Sequence, residues 1–122
     1  MISIKIVKGL TTIELNEITK LINTYYTNIR LNDNEIIIYS KNGDIITGCI
    51  TIDKKKDISI CNNLCVKVEY WNMEIDKQLI ETAKTISGTS LYVEIEDNNT
   101  NYSYYIKGGF SHVSDNILIL RK

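Results

Sequence analysis

Residues 91–110 read LYVEIEDNNTNYSYYIKGGF. Leu91, Val93 and Ile95 alternate with Tyr92 and Glu94, which gives an extended segment one apolar side and predicts a strand over 91–95. Asn98 to Lys107 fits a short helix, and Gly108-Gly109 stops it. Phe110 to Val113 and Ile117 to Leu120 are extended again, joined around Ser114-Asp115-Asn116 as a closing hairpin.

Upstream, the period is helical from Glu74 to Ile86, where Ile75, Leu79, Ile80, Ala83 and Ile86 form one stripe. Gly88 is placed to end that helix. Before it, a strand runs from about Ile58 to Val68. Glu35–Ser40 and Ile45–Ile52 are strands flanking Asn42-Gly43-Asp44, a strong hairpin signal. At the start, Ile2, Ile4 and Ile6 alternate with Ser3, Lys5 and Val7. Gly9 breaks that strand, Thr11 or Thr12 can cap a helix, and Ile13, Ile18, Leu21, Ile22 and Tyr25 recur at helical spacing. The order is β-α-β-β-β-α-β-α-β-β, an α+β chain with a mixed central sheet. The strands before and after the second helix should be parallel, since a helix joins them. The last strand, Ile117–Leu120, offers an edge for pairing with another chain.

The 122 residues suffice for one domain, 1–122, with one real core. With a net charge of −1, the chain lacks the basic surplus that neutralising phosphates requires, so no nucleic-acid partner is expected. Lys54-Lys55-Lys56 reads as a solvated loop. No apolar run approaches a membrane span, and the alternating N-terminus is no signal peptide. An odd count of cysteines, Cys49, Cys61 and Cys65, favours reduced thiols and a cytoplasmic location. On one regular strand Cys61 and Cys65 would share a face ~13 Å apart, too far for a disulfide or a shared metal. They read as small buried hydrophobes, and no metal is expected. Heavy use of Ile, Asn, Lys and Tyr with no proline suggests an AT-rich genome, viral among the options, with host cytoplasm as the location in that case.

The chain resembles the GNAT superfamily of N-acetyltransferases. The family's hairpin, a polar turn followed by an apolar pair and a glycine, has its counterpart in Asn42-Gly43-Asp44-Ile45-Ile46-Thr47-Gly48. Its later pattern is a strand, an Asn, and seven residues on a Tyr within Y-x-x-x-G-F. Here Asn98, Tyr105, Gly109 and Phe110 stand at those places. The resemblance implies the GNAT-like acyl-CoA N-acyltransferase fold, acetyl-CoA as cofactor, Tyr105 as the general acid that protonates the departing thiolate, and Asn98 lining the cofactor cleft. Tyr105 beside Tyr102 and Tyr104 also reads simply as a packed aromatic.

Between these matches the resemblance breaks. A typical member reads E-Y-R-G-K-G-I-G and then a helix beginning S-Q-L-L. This chain reads Glu69-Tyr70-Trp71-Asn72-Met73-Glu74-Ile75-Asp76-Lys77-Gln78-Leu79-Ile80. The flanks keep register, but Trp71 replaces the Arg, and Asn72, Glu74 and Asp76 replace glycines. In the family this loop holds the cofactor's pyrophosphate on N–H groups at the helix start, where the helix dipole favours an anion. Side chains there push a phosphate away, and carboxylates repel it. Val66, Val68, Trp71, Asn72, Met73, Glu74, Ile75, Asp76 and Asn98 are thus the positions equivalent to the cofactor site, expected to be impaired. An ordinary helix start, capped by Asn72 with acids in its first turn, accounts for the same letters. Loss of phosphate binding predicts the Glu74 and Asp76 carboxylates folded over the helix-start donors.

Two functions are open on this reading. One is a catalytically inactive or impaired homologue, needing no cofactor, that acts through a protein partner or as a homodimer. The other is an active acetyl-CoA-dependent N-acetyltransferase with a divergent loop. No general base stands out: His112, the only histidine, follows the Gly-Phe turn at the start of a strand, and Glu94 and Glu69 have no evident partner. Tyr25, Tyr26, Arg30 and Asp33 are candidate wall residues for an acceptor.

Overall fold

β2 (Ile36–Asn42) and β3 (Ile45–Lys54) form the hairpin at the centre of the sheet. Asn42 pairs with Ile45, so the two-residue loop is Gly43-Asp44, one residue later than the Asn-Gly pair suggested. Gly43 has φ +62°, the left-handed region a glycine enters freely. Around this hairpin lie β1 (Ile2–Val7), β4 (Ile58–Val66), β5 (Ser90–Glu94), β6 (Ser111–His112) and β7 (Ile117–Leu120). The sheet order is β1-β2-β3-β4-β5-β7-β6. Neighbours are antiparallel except β4 and β5, which run parallel as a helix crossover requires. The structure, a computed structural model, describes residues 2–7, 12–26, 31, 35–95 and 102–122.

Helix α1 (Thr12–Tyr25) covers one face of the sheet, and α2 (Ile75–Ser87) covers the other, with α3 (Tyr102–Lys107) on the α2 side. Alternation divides the strands between the two cores. Ile38, Ile50 and Ile52 pack with Ile75, Leu79, Ile80 and Ala83 on the α2 side, while Ile37, Tyr39 and Ile46 pack with Ile18, Leu21 and Ile22 under α1. The stripe read from α2 is therefore its buried face. Gly88 ends that helix at φ +64°, its N–H donating to Lys84 O.

Three expectations change. Cys61 and Cys65 do not share a face: Cys61 belongs to the α2-side core and Cys65 to the α1-side core. The cause is a bulge, with Asn63 at φ +61° and two residues, Asn63 and Leu64, set against Ile50 alone. Cys65 instead sits opposite Cys49, the sulfurs 3.6 Å apart and both buried. Second, β7 is not an edge, because β5 flanks it on one side and β6 on the other. Third, a 3-10 turn, Val68–Met73, precedes α2, so Asn72 lies inside that turn and does not cap the helix. Thr11, Arg30, Asp33, Asn98 and Asn101 lie outside the described residues.

Candidate functional site

β4 and β5 start as a pair and then part. Their partners are Ile58↔Ser90, Ser59↔Leu91 and Ile60↔Tyr92, yet β4 continues to Val66. Among the described residues β5 pairs with β4 no further than Ile60, which leaves a cleft between the two strands where they part. Backbone groups in such a cleft still need partners.

The direction of those groups is set by one hydrogen bond. Lys67 N–H donates to Thr47 O at 2.7 Å, toward β3. In a trans peptide the preceding carbonyl points the other way, so Val66 C=O faces the cleft. Leu64, two residues back, presents its carbonyl on the same side. Side chains meet both. The Trp71 indole Nε1–H donates to Val66 O at 2.8 Å, and the Tyr26 hydroxyl donates to Leu64 O at 2.9 Å. The cleft edge of β4 is capped by the chain itself.

More tyrosines close in around these caps. Burial pushes the Tyr25 hydroxyl above its ordinary pKa, Cys65 and Glu69 add to that, and hydrogen bonding to the Val68 backbone and the Trp71 side chain opposes it. Tyr25 therefore stands against Trp71. Tyr104 is pushed up to about 12, by burial first and then by the Asp76 charge and by Tyr25 and Cys65. Tyr105 is 1% exposed. Burial, then Tyr26 and Cys61, raise its pKa well above the ordinary value, and the Leu64 backbone opposes that shift. Tyr26 from the α1 face and Tyr105 from the α2 face thus converge on Leu64. Tyr105 also stacks edge-on against Phe110, with centroids 5.2 Å apart.

The helix start beside the cleft is built differently from expectation. Glu74 occupies the N-cap at φ 56° and ψ 28°, with no side-chain cap hydrogen bond. Its carboxylate lies 3.7 Å from Lys77 Nζ. Gln78 N–H reaches Glu74 O at 3.2 Å as the first helical bond, so the N–H groups of Ile75, Asp76 and Lys77 are the helix-start donors. Folding of Glu74 over those donors is not what the structure has. Asp76 is turned into the protein and is only 8% exposed.

The residues singled out from the sequence divide by environment. Val66 and Ile75 are core, and Ile75 packs close to Gly48. Val68, Trp71, Asn72, Met73 and Glu74 are exposed along the 3-10 turn. What sequence reasoning missed was Tyr26 as a cap on Leu64 and the use of Trp71 as a donor into the cleft. The adjacent Tyr25-Tyr26 pair at the end of a helix was the available signal, but its target is distant in sequence.

A second concavity of about 550 Å³ lies between α1, the β2–β3 turn and the start of the 3-10 turn, with Tyr25 and Val68 in its wall. Lys20 and Lys67 face Glu17, Asp44 and Glu69 around it, so its charge selects no one ligand. Among the described residues no group of three or more His, Cys, Asp or Glu side chains could hold a metal. No helix among them is long and apolar enough to cross a membrane.

No protein-family model and no curated protein sequence matches the chain. Solved structures do. Escherichia coli ElaA superposes with a TM-score of 0.75 at 14% identity, over 98% of this chain and 97% of that one. PaiA N-acetyltransferase from Thermoplasma acidophilum, in complex with coenzyme A, gives 0.75 at 18% identity over 98% and 99%. The ribosomal-protein-S18-alanine N-acetyltransferase of Escherichia coli gives 0.73 at 13% identity over 99% and 94%. At these identities the agreement is one of fold: the chain has the architecture of the GNAT acyltransferases over nearly its whole length.

Proposed function

We propose that this GNAT-fold chain is an inactive or impaired acetyltransferase homologue that works by binding a protein partner or a second copy of itself. The observation that carries the reading is the 2.8 Å bond from Trp71 Nε1 to Val66 O. The resemblance implies that acetyl-CoA would be held by backbone groups of the strands on either side of this cleft, β4 and β5. Here Trp71 and Tyr26 hold the β4 edge, and Tyr25, Tyr104 and Tyr105 crowd it. A ligand entering would have to displace an indole and a phenol from carbonyls they already satisfy, and each such exchange costs affinity. The loop sequence works in the same direction, since Glu74 and Asp76 repel a pyrophosphate and no Arg is present to hold it.

Support for the protein-binding half comes from the same turn. Val68 is 55% exposed and Trp71 50%. Three residues apart in a 3-10 turn, they share a face, which makes an apolar surface at the mouth of the cleft.

One observation favours the alternative of an active N-acetyltransferase with Tyr105 as general acid. The α2 donors carry no side-chain cap, and Glu74 takes a left-handed backbone that a glycine would adopt freely. Coenzyme A accompanies the PaiA neighbour, and a phosphate could still reach these donors if Trp71 swung out. Thermal melting with acetyl-CoA separates the two. A ligand at 100 times its Kd adds about 2.7 kcal/mol. No shift is expected at millimolar acetyl-CoA, and a rise of several degrees would sink the proposal. Light scattering on a sizing column, with and without candidate partners, tests the association itself.

A further inference from the structure

Tyr102 and His112 meet on the surface where α3 faces β6. Neither is among the cleft residues. Tyr102 Oη lies 2.6 Å from His112 Nε2, and the ring centroids are 5.6 Å apart. On the far side of the imidazole, Nδ1 is 3.1 Å from Ser114 O. A backbone carbonyl only accepts, so Nδ1 carries the proton. In the neutral ring Nε2 then has its lone pair free, and the Tyr102 hydroxyl is the donor. The turn holds the carbonyl in place, with Val113 N–H on Ile117 O at 2.9 Å and Ser114 N–H on the same oxygen at 3.4 Å.

A hydroxyl, a base in hydrogen-bond reach and a third group orienting the base is the arrangement of an activated nucleophile. Access completes it. Tyr102 is 39% exposed, and the other tyrosines are buried or half-buried. Ile106, one helical turn on from Tyr102, and Val113, next to His112, are both exposed. They give a short acyl chain an apolar surface to rest on.

We propose that Tyr102 is a nucleophile toward activated acyl esters, with His112 as its general base and the Ser114 carbonyl as the group that orients the ring. In the step, the Tyr102 proton passes to His112 Nε2 while Oη bonds to the ester's carbonyl carbon. The bond from that carbon to the leaving oxygen breaks, and the leaving group takes the proton from Nε2. The products are O-acyl-Tyr102 and an alcohol or phenol, with no oxidant or reductant involved. This inference does not depend on whether the cleft binds acetyl-CoA.

The test uses p-nitrophenyl acetate on the full chain, following nitrophenolate release and locating the acetyl group by fragment-ion mass spectrometry. Tyr102 is expected to acetylate first, and faster than free N-acetyltyrosinamide. His112→Gln should slow labelling at Tyr102 by about 10- to 100-fold, at or below the low end of general-base effects, while Tyr102→Phe should remove it. The comparison with the free amide needs no variant, so it stands even if one misfolds. Labelling no faster than the free amide, a parent rate in His112→Gln, or acetyl found on His112 with the burst intact in Tyr102→Phe would each overturn the assignment and leave a contact that only fastens α3 to β6.

Discussion

Glu74 holds φ 56° and ψ 28° at the start of α2, a conformation that disfavours an L side chain by ~1–2 kcal/mol. Glycine stands at this place in the family the loop resembles, and here a glutamate takes a left-handed backbone that a glycine would adopt freely. Its ion pair with Lys77 offsets little, because the Glu74 side chain is 73% exposed and surface pairs of this kind contribute weakly. Glu74→Gly should therefore stabilise the protein by roughly 0.5–1 kcal/mol, seen as a Tm higher by ~2–6 °C. A lower Tm would mean that the carboxylate stabilises the turn in a way its contacts do not reveal. The loss of glycine was plain in the sequence. That Glu74 takes a left-handed backbone was not, since φ depends on the turn before it and the helix after it.

Among the elements, the segment from β4 through the 3-10 turn into α2 carries the Trp71 cap on Val66 O. Reverting its letters to the family pattern, with Trp71→Arg, Asn72→Gly, Glu74→Gly and Asp76→Gly together, removes the indole cap and two acids and supplies a cation. If the loop is what excludes the cofactor, the reverted chain gains a melting shift of several degrees with millimolar acetyl-CoA that the parent lacks. If it still shows no shift, Tyr25 and Tyr26 close the cleft without the loop's help. The same segment depends on Gly48 of β3. A Cβ there would lie 2.9 Å from Cys65 O and 3.2 Å from Ile75 Cγ2. Gly48→Ala should cost about 1–3 kcal/mol in a urea melt, because backbone cannot yield as a flexible side-chain end can. The sequence marked Gly48 as part of a hairpin pattern, but its reason is the close approach first of the β4 backbone at Cys65 and then of Ile75 at the start of α2, which no local reading contains.

At the scale of the whole molecule, the buried phenols set an alkaline limit. Tyr104 is raised from the ordinary 10.0 to about 12, and Tyr105 is raised well above 10.0. Protonated in the fold, these groups ionise more readily in the unfolded chain, so the unfolded state binds fewer protons above pH 10. Stability is complete below pH 10 and falls as pH rises toward 12. Urea midpoints measured across that window should drop, and absorbance at 295 nm should show a part of the tyrosine ionisation, that of Tyr104 and Tyr105, arriving only as the protein unfolds; midpoints flat to pH 12 would contradict this. The amino-acid sequence by itself determined the element order, the buried stripe of α2 and the glycine that ends it. Those depend on periodicity and local backbone preference, which are written in neighbouring residues. Only the tertiary structure decided that Cys61 and Cys65 face opposite ways, that β7 lies inside the sheet, that Trp71 and Tyr26 cap the β4 edge, and that Tyr102 meets His112. Each of these turns on a bulge, a strand order or a contact between residues distant in the chain, and one-dimensional spacing carries no record of such meetings.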